Sequence, residues 1–334
     1  MRRQVHKGCP KKCATLRDRG KCRSNCRKDT TAFSTKIVGQ NIVMKPKLII
    51  FGDPKRKFAE EAVSKFVEFA KDKVEILGNC FGSTCSIDIL KKADYAIVFG
   101  GDGTILSAAR DLSQANVPVI GVNVGRLGFL AEFSVDEMIQ LIDDIIDGKM
   151  RIEKRMIIKS CIERAGERKL CSTAINDMVI AAGAPFNMVE LKMKVDGQAL
   201  AGCVGDGVII STPTGSTAYN LSAGGPILSG DLSAIVITPL CPHSLSFRPI
   251  VISSESVIEI EVVRVNEGTT ITLDGQVSHK LYKRDVVIVE KDKGAFLVVN
   301  NPLRTQWDTL AGKLNWAEKP KYNLADSKMT RAKP

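Results

Sequence analysis

Apolar and polar positions follow two different periods along this chain, and the change falls near residue 150. Before it, short apolar runs alternate with segments whose apolar residues recur every three or four positions. Strands are predicted over residues 48–51, 74–77, 95–99 and 117–122, and helices over residues 58–70, 87–91, 105–112 and 138–147. Alternating strands and helices predict a Rossmann-like parallel sheet with helices on its faces.

After residue 150 the apolar residues alternate with polar ones, as in residues 157–162, 189–195 and 257–262. This period of two is typical of half-buried antiparallel strands. Asp196-Gly197 and Asp274-Gly275 are hairpin-turn dipeptides, and a helix is predicted over residues 304–314.

The predicted fold is therefore an α/β N-terminal domain followed by a β-rich C-terminal domain. We expect the α/β domain at residues 46–150 together with the C-terminal helix at about 303–316, the β-rich domain at residues 151–302, and a flexible tail at residues 317–334. No apolar run is long enough for a transmembrane helix, so no membrane partner is expected.

The net charge of +11 belongs to one segment at the start of the chain. Residues 1–46 hold thirteen basic and two acidic residues, whereas the rest holds 35 of each. The folded body therefore lacks the charge signature of a nucleic-acid-binding protein. Residues 1–45 also carry Cys9, Cys13, Cys22 and Cys26. That segment fits a disordered basic arm, a targeting peptide, a metal site of unusual spacing, or a stretch outside the mature protein.

The other six cysteines are scattered singly or in loose pairs along the chain. In a chain of this size, that usage is typical of free thiols in a reducing compartment. We therefore expect a cytoplasmic protein.

Three glycines surround one aspartate where the strand at residues 95–99 ends. The order Gly100-Gly101-Asp102-Gly103-Thr104 and the helix after it predict a strand, a tight loop and a helix. Glycine lets backbone N–H groups approach a ligand, and a helix N-terminus favours phosphate. A carboxylate at such a place points to a metal ion or to a hydroxyl that must lose its proton. The alternative is a structural turn capped by Asp102.

Three further segments carry candidate chemistry. Residues 121–130 form a second glycine-rich loop after a strand, which predicts a crevice shared with the first loop at the carboxyl edge of the sheet. Asn176-Asp177 could hold a ribose diol or form an ordinary turn. Residues 205–226 are dense in hydroxyl groups and glycines, which suits a ligand with ribose and phosphate groups, and Tyr219 could stack on a base.

Several common catalytic signatures are missing from the sequence. It has neither a Walker-type G-x-x-x-x-G-K-[ST] nor a G-x-G-x-x-G fingerprint. With three histidines and no H-E-x-x-H or G-x-S-x-G, it gives little support to a histidine-based hydrolase or a zinc enzyme.

Taken together and in this order, the segments resemble the NAD kinases over residues 46–316. The resemblance rests on the glycine turn, residues 121–130, Asn176-Asp177 and residues 205–226, with support from residues 242–249 and 273–276. It implies transfer of the γ-phosphoryl group of ATP to the 2′-hydroxyl of the adenosine ribose of NAD, with a divalent metal such as Mg²⁺. It also implies an α/β domain that binds ATP phosphates, a β-rich domain that binds NAD, and a homodimer or homotetramer.

The resemblance also implies a role for single residues. Asp102 matches the proton acceptor, Gly103 lines the site beside it, and Asp206 matches a carboxylate near the nicotinamide end. The other residues implied to contact the substrates are Phe129, Asn176, Asp177, Thr214, Thr217, Ala218, Tyr219, Asn220, Leu221, Ser222 and Gln276. No residue is implied as a metal ligand.

Two other functions are compatible with parts of the sequence. The glycine turn also resembles that of the diacylglycerol and sphingosine kinases, so a lipid kinase is one alternative. A non-catalytic, NAD-binding regulator whose basic arm binds nucleic acid is the other.

Overall fold

The computed structural model describes residues 45–53, 57–81, 85–125, 127–184 and 188–316. Predictions that concern residues 1–44 and the tail from residue 317 lie outside these ranges.

The first part of the described chain alternates parallel strands with helices, as its apolar pattern predicts. The elements are β1 (Lys47–Gly52), α1 (Lys57–Ala70), β2 (Glu75–Phe81), α2 (Ile87–Leu90), β3 (Tyr95–Gly100), α3 (Asp102–Ala115), β4 (Val119–Asn123), α4 (Val135–Gln140) and α5 (Ile142–Ile146). Strands β1 to β4 pair in parallel in the order β2-β1-β3-β4.

The second part consists almost wholly of antiparallel strands. They are β5 (Ile152–Arg164), β6 (Glu167–Ala174), β7 (Asp177–Ala181), β8 (Val189–Val195), β9 (Gln198–Gly205), β10 (Gly207–Ser211), β11 (Ala234–Leu240), β12 (Ile250–Ser253), β13 (Ile258–Arg264), β14 (Thr270–Leu273), β15 (Val277–Lys280) and β16 (Val286–Val299). A 3-10 turn (Thr214–Thr217) and α6 (Tyr219–Ser222) lie between β10 and β11, and α7 (Gln306–Leu314) follows β16.

Two sheets organise these strands. The larger runs β2-β1-β3-β4-β16-β13-β8-β9, and β5 and β6 attach beside β16. The smaller runs β12-β11-β10-β7-β14-β15. Val298 of β16 pairs in parallel with Val119 of β4, so the antiparallel strands continue the parallel sheet without a break.

Apolar side chains fill three layers around these sheets. One layer lies between the larger sheet and helices α1, α4 and α5, with Phe66 and Phe133 fully buried. The opposite face packs against α2 and α3, with Ile105 and Leu112 buried. The third layer lies between the two sheets of the second part and consists mostly of Ile, Val and Leu. This is the arrangement that strands with one apolar face require.

Both predicted hairpin turns are confirmed. Asp196 and Gly197 have φ of 52° and 76°, and Asp274 and Gly275 have φ of 51° and 65°. Two consecutive positive φ values define the type I′ turn, which Asp-Gly favours.

Two predicted helices differ in their bounds. The helix predicted over residues 138–147 is two short helices, because Leu141 between them has φ −96° and ψ 3°. The first starts earlier, at a capping box in which Ser134 and Glu137 exchange hydrogen bonds. The helix predicted from residue 105 starts at Asp102, which is therefore its first residue and not its cap.

The expectation of free thiols is wrong for four cysteines. Cys161 and Cys171 stand opposite each other in β5 and β6, with Cα atoms 4.1 Å apart, and form a disulfide. Cys80 and Cys85 form a second one. Strand pairing brought the first two sulfur atoms together, which spacing in the sequence does not reveal. Cys203 and Cys241 are free.

Within the described ranges, the helices are too short or too polar to cross a membrane.

Substitution of Gly121 in β4 tests how tightly the second glycine-rich loop packs on the sheet. A Cβ atom there would stand 2.3 Å from the carbonyl oxygen of Leu130 and 2.6 Å from Cδ1 of Ile105. We expect Gly121→Ala to lower the free energy of unfolding by about 3 kcal/mol, because backbone must shift to admit the methyl group. Urea denaturation measures this change.

Gly78→Ala in β2 is the matched control, since a Cβ there meets nothing within 4 Å. It should change the free energy of unfolding by less than about 1 kcal/mol. Equal effects of the two variants would contradict the packing described here.

Candidate functional site

The glycine turn between β3 and α3 places Asp102 at the start of a helix. Gly101 is the N-cap residue, and Asp102 and Gly103 open the first turn. Gly103 is exposed, and the space where its Cβ would lie is open. The first backbone N–H groups of a helix have no partner inside it, so this open turn suits an anion such as phosphate.

The carboxylate of Asp102 contacts the loop after β4. Its Oδ1 accepts hydrogen bonds from the backbone N–H groups of Leu130 at 2.9 Å and Ala131 at 3.1 Å. Its Oδ2 accepts from the backbone N–H of Phe129 at 3.0 Å and from Nζ of Lys313 at 2.8 Å. Asp102 thus joins three separate parts of the chain.

This environment keeps Asp102 ionised. Burial alone would raise the pKa of its carboxyl group. The hydrogen bond and charge of Lys313, together with the N–H groups of Leu130 and Phe129, outweigh burial and hold the pKa below its ordinary value.

Phe129 connects Asp102 to a cleft of about 100 Å³ between the two parts of the chain. The ring of Phe129 lies on its wall, with Nζ of Lys313 4.5 Å from the ring centroid. The other residues that line it are Glu132, Arg155, Pro213, Thr214, Thr217, Ile227, Leu228, Ser229, Gly230, Gln306, Trp307, Thr309 and Leu310. The predicted residues Phe129, Thr214 and Thr217 therefore share one cleft.

Asn176 and Asp177 are held in place by the hairpin that contains Gln276. Asp274, the first residue of that turn, accepts hydrogen bonds from the backbone N–H groups of Ile175 at 2.8 Å, Asn176 at 2.7 Å and Asp177 at 3.2 Å. Gln276 itself is exposed at the turn. The association of this hairpin with the Asn-Asp pair is thus a finding of the structure, and its physical cause is a carboxylate that binds three consecutive amides.

The loop after β10 packs directly on Asn176. The backbone N–H of Thr212 donates to the carbonyl oxygen of Asn176 at 2.9 Å. A Cβ on Gly215 would lie 2.1 Å from the same oxygen, so only glycine allows this approach. Asn176 therefore lies against the segment that carries Thr214 and Thr217.

The predicted residues on α6 divide into buried and accessible ones. Asn220 is fully buried; its Nδ2 donates to the carbonyl oxygens of Ser216 and Pro226, and its Oδ1 accepts from Thr238 at 2.6 Å. Its side chain therefore shapes the loop. Ala218 and Leu221 are half-buried, whereas Tyr219 and Ser222 are exposed, Tyr219 by 49%.

Two polar atoms of the predicted residues are buried without a hydrogen-bond partner in the structure. They are Oδ1 of Asn176 and Oγ1 of Thr214. Most buried polar atoms in proteins have a partner, so an unpartnered pair in adjacent segments marks a place where a ligand would complete the hydrogen bonding.

Asp206 does not join this group. It lies before β10, where Gly207 pairs with Ala181, whereas Asp177 pairs with Ser211 at the other end of the same strand. A five-residue strand is roughly 17 Å long. Asp206 instead interacts with the thiol of Cys241 and, through its charge and hydrogen bond, raises the pKa of that thiol. Its assignment to the nicotinamide end stays a prediction.

Sequence reasoning missed several residues of the site. Lys313 lies in the predicted C-terminal helix, but nothing in the sequence connects it with Asp102. Asp274 was predicted as a turn residue and not as an acceptor for three amides. Glu132 and Arg155 line the cleft as charged residues, and burial raises the pKa of Glu132. Glu132 lies in a loop and Arg155 follows Glu153 and Lys154 in β5, so no local pattern in the sequence pointed to either of them.

Known protein families match both parts of the chain. The model of the ATP-NAD kinase N-terminal domain matches residues 48–150, and that of the ATP-NAD kinase C-terminal domain matches residues 175–301. The NAD kinase of Thiobacillus denitrificans is 40% identical over 232 residues, which cover 70% of this chain and 80% of that protein. The NAD kinase of Geotalea daltonii is also 40% identical over 232 residues, with 82% of its length covered.

Solved structures show the same fold. The yeast NADH kinase in complex with NADH superposes with a TM-score of 0.75 at 25% identity, covering 84% of this chain and 90% of that one. The NAD kinase of Archaeoglobus fulgidus in complex with ATP has a TM-score of 0.66 at 24% identity, covering 80% and 98%. With both family models matched over more than half of its length, this chain belongs to the NAD kinase family.

Proposed function

We propose that this protein transfers the γ-phosphoryl group of ATP to the 2′-hydroxyl of the adenosine ribose of NAD and forms NADP and ADP. One observation carries the proposal: the carboxylate beside the phosphate-binding turn is bonded to Phe129, which shares a cleft with the hydroxyl-rich loop at residues 214–217. Phosphate-binding and ribose-binding features therefore meet at one place.

Each group has a role in this reaction. The glycine turn and the start of α3 bind the terminal phosphates of ATP. Asn176, Asp177 and Thr214 bind the NAD ribose, and Tyr219 stacks on adenine. The 2′-oxygen forms a bond to the γ-phosphorus as the bond from phosphorus to the bridging oxygen of ADP breaks. Asp102 accepts the hydroxyl proton.

A carboxylate with a low pKa suffices for this step. Phosphoryl transfer has a loose transition state, so positioning and charge neutralisation provide most of the catalysis. The proton leaves late, when the ribose oxygen has become acidic through its new bond to phosphorus. Asp102 then acts mainly by orienting the hydroxyl group.

Mg²⁺ enters this proposal as the ion that ATP carries. Within the part of the chain that the structure describes, no three His, Cys, Asp or Glu side chains gather as a metal site. Mg²⁺ in kinase sites is held by substrate phosphates, waters and one or two carboxylates. We propose that Mg²⁺ arrives here bound to the phosphates of ATP.

The two alternative functions are not favoured. A lipid kinase would need an apolar substrate cleft, whereas this one contains Glu132, Arg155 and the hydroxyl groups of Thr214 and Thr217. A non-catalytic regulator would not need the proton acceptor that Asp102 provides. Formation of NADP from NAD and Mg-ATP, measured beside a diacylglycerol control, tests all three functions in one assay.

We also propose a homodimer or homotetramer. The cytoplasmic location stays a prediction, since among the described cysteines only Cys203 and Cys241 have the free thiols on which it rested. Edge strand β12 supports the oligomer, because Ile250 and Val251 expose 38% and 45% of their surface there. Light scattering of the purified protein tests the oligomer, and cell fractionation tests the location.

Asp177 binds the ribose near the midpoint of its own titration. Burial, followed by the charge of Asp274, raises its pKa to about 7. Near neutral pH it can therefore donate or accept a hydrogen bond, which suits a ribose diol.

We expect Asp102→Asn to lower turnover at least about a hundredfold while the protein stays folded. The amide keeps one acceptor for the loop amides but cannot take the hydroxyl proton. Steady-state NADP formation and circular dichroism measure the two effects. The control is Asp136→Asn, which removes an exposed carboxylate whose Oδ1 lies 2.7 Å from Nζ of Lys65. Near-normal turnover of Asp102→Asn would refute the proton-acceptor role.

The raised pKa of Asp177 predicts a pH-dependent stability. Unfolded Asp177 loses its proton near pH 4, whereas the folded residue keeps it up to about pH 7. The free energy of unfolding, relative to Asp177→Asn, should therefore fall as pH rises from about 4 to 7, by at most about 4 kcal/mol. Urea denaturation of both proteins across this range measures it. Parallel curves would contradict the raised pKa.

A further inference from the structure

Every acceptor position of Asp102 is occupied in the structure. An ionised carboxylate offers about four acceptor sites. Three are taken by the N–H groups of Phe129, Leu130 and Ala131, and the fourth by Lys313. A ribose hydroxyl can hydrogen-bond to Asp102 only after one of these donors leaves.

Three of the four donors are fixed by the fold. The N–H of Gly128 donates to the carbonyl of Ala131, and Phe133 exchanges backbone hydrogen bonds with Gly121 and Asn123 of β4. A Cβ on Gly128 would stand 2.0 Å from Oδ1 of Asp102, so the loop packs directly on the carboxylate. These N–H groups cannot withdraw without disrupting the loop and its attachment to β4.

Lys313 is the donor that can leave. Its side chain is 33% exposed, and it lies in the last turn of α7. The helix does not need the ion pair to stay in place, because Thr309 and Leu310 are buried and a capping box at Thr305 and Asp308 begins it. Four rotatable methylene groups let the ammonium swing while α7 stays docked.

We propose that Lys313 is a further catalytic residue of the phosphoryl transfer. In the free enzyme its ammonium group occupies the place of the hydroxyl on Asp102, and when substrates bind it moves to the transferred phosphoryl group. The inference rests on the proposed NAD kinase reaction. The exchange leaves the 2′-hydroxyl on Oδ2 of Asp102 and the ammonium beside the phosphate oxygens.

Charge favours this exchange. The phosphates bound at the glycine turn carry more negative charge than the single carboxylate, and the N-terminus of α3 holds them close by. The face of Phe129, 4.5 Å from the ammonium, offers a favourable surface next to the cleft. Glu132 is the other charged group that interacts with Asp102, and it is in turn influenced by Arg155 and Glu153. Of Glu132, Arg155 and Glu153, only Arg155 is a cation, and it does not bind Asp102.

Lys313→Met and Lys313→Arg test the proposal, with Lys73→Met as control. Lys73 forms an equally short ion pair, 2.7 Å from Nζ to Oδ1 of Asp143, on the surface between α1 and α5. We expect Lys313→Met to lower kcat roughly a hundredfold, as does loss of one charge-stabilising donor elsewhere. Lys313→Arg should stay within about tenfold of wild type, because it keeps the charge.

Four further measurements separate this role from a structural one. In Lys313→Met, KM for ATP should rise, whereas the Kd for NAD measured without ATP should stay equal or fall because Oδ2 is free. The acid limb of the profile of kcat/KM for NAD should move to higher pH, since the pKa of Asp102 is no longer held down by Lys313. Thermal stability should match that of Lys73→Met.

The outcomes distinguish this inference from the proposed function. Wild-type protein that forms no NADP would refute the function itself. Active wild type, with Lys313→Met unchanged in kcat and acid limb, would overturn the role of Lys313 alone. A parallel loss of thermal stability and of affinity for both substrates would also overturn it, because the lysine would then only anchor α7.

Discussion

Three backbone N–H groups that converge on one carboxylate hold this site together. Strands β3 and β4 are parallel neighbours, with Gly100 opposite Asn123, so their following loops leave the sheet side by side. Gly128 has no side chain, and the second loop can therefore reach Asp102. The interaction pairs a negative charge on the first loop with backbone N–H donors on the second. It therefore fixes both loops at the edge where ligands bind in parallel sheets.

A second carboxylate that binds three backbone N–H groups occurs in the antiparallel part. Asp274 takes the three N–H groups of residues 175–177 and so fixes the Asn-Asp pair against the smaller sheet. Burial and the charge of Asp274 raise the pKa of the Asp177 carboxyl group. Two partly buried carboxylates thus order two neighbouring segments of the chain, and each does so through main-chain N–H groups. This explains why glycines and aspartates dominate the recognisable segments.

Local patterns in the sequence predicted the features that depend only on neighbouring residues. Apolar periodicity located the strands, and Asp-Gly located both type I′ turns, because those features depend on residues within a few positions. The break at Leu141 was not predictable, since the apolar pattern continues through it. The ion pair of Asp102 and Lys313 joins residues 211 positions apart, and the Cys161–Cys171 disulfide depends on the register of two strands. Such contacts become visible only when the topology is known.

The path of the last strand determines what the site can do. Because β16 pairs with β4, the chain returns to the segment after β4, where Asn301 hydrogen-bonds to Glu132 and Arg304 lies 2.7 Å from Glu137 of α4. Gln306 then bonds to Ser229 at the rim of the cleft, and α7 brings Lys313 to Asp102. One continuous sheet thereby connects the glycine turn to the β-rich part, through the pairing of Val298 with Val119. The path of the chain after β16 thus explains why a lysine of the last helix reaches Asp102, which lies 211 positions earlier in the sequence.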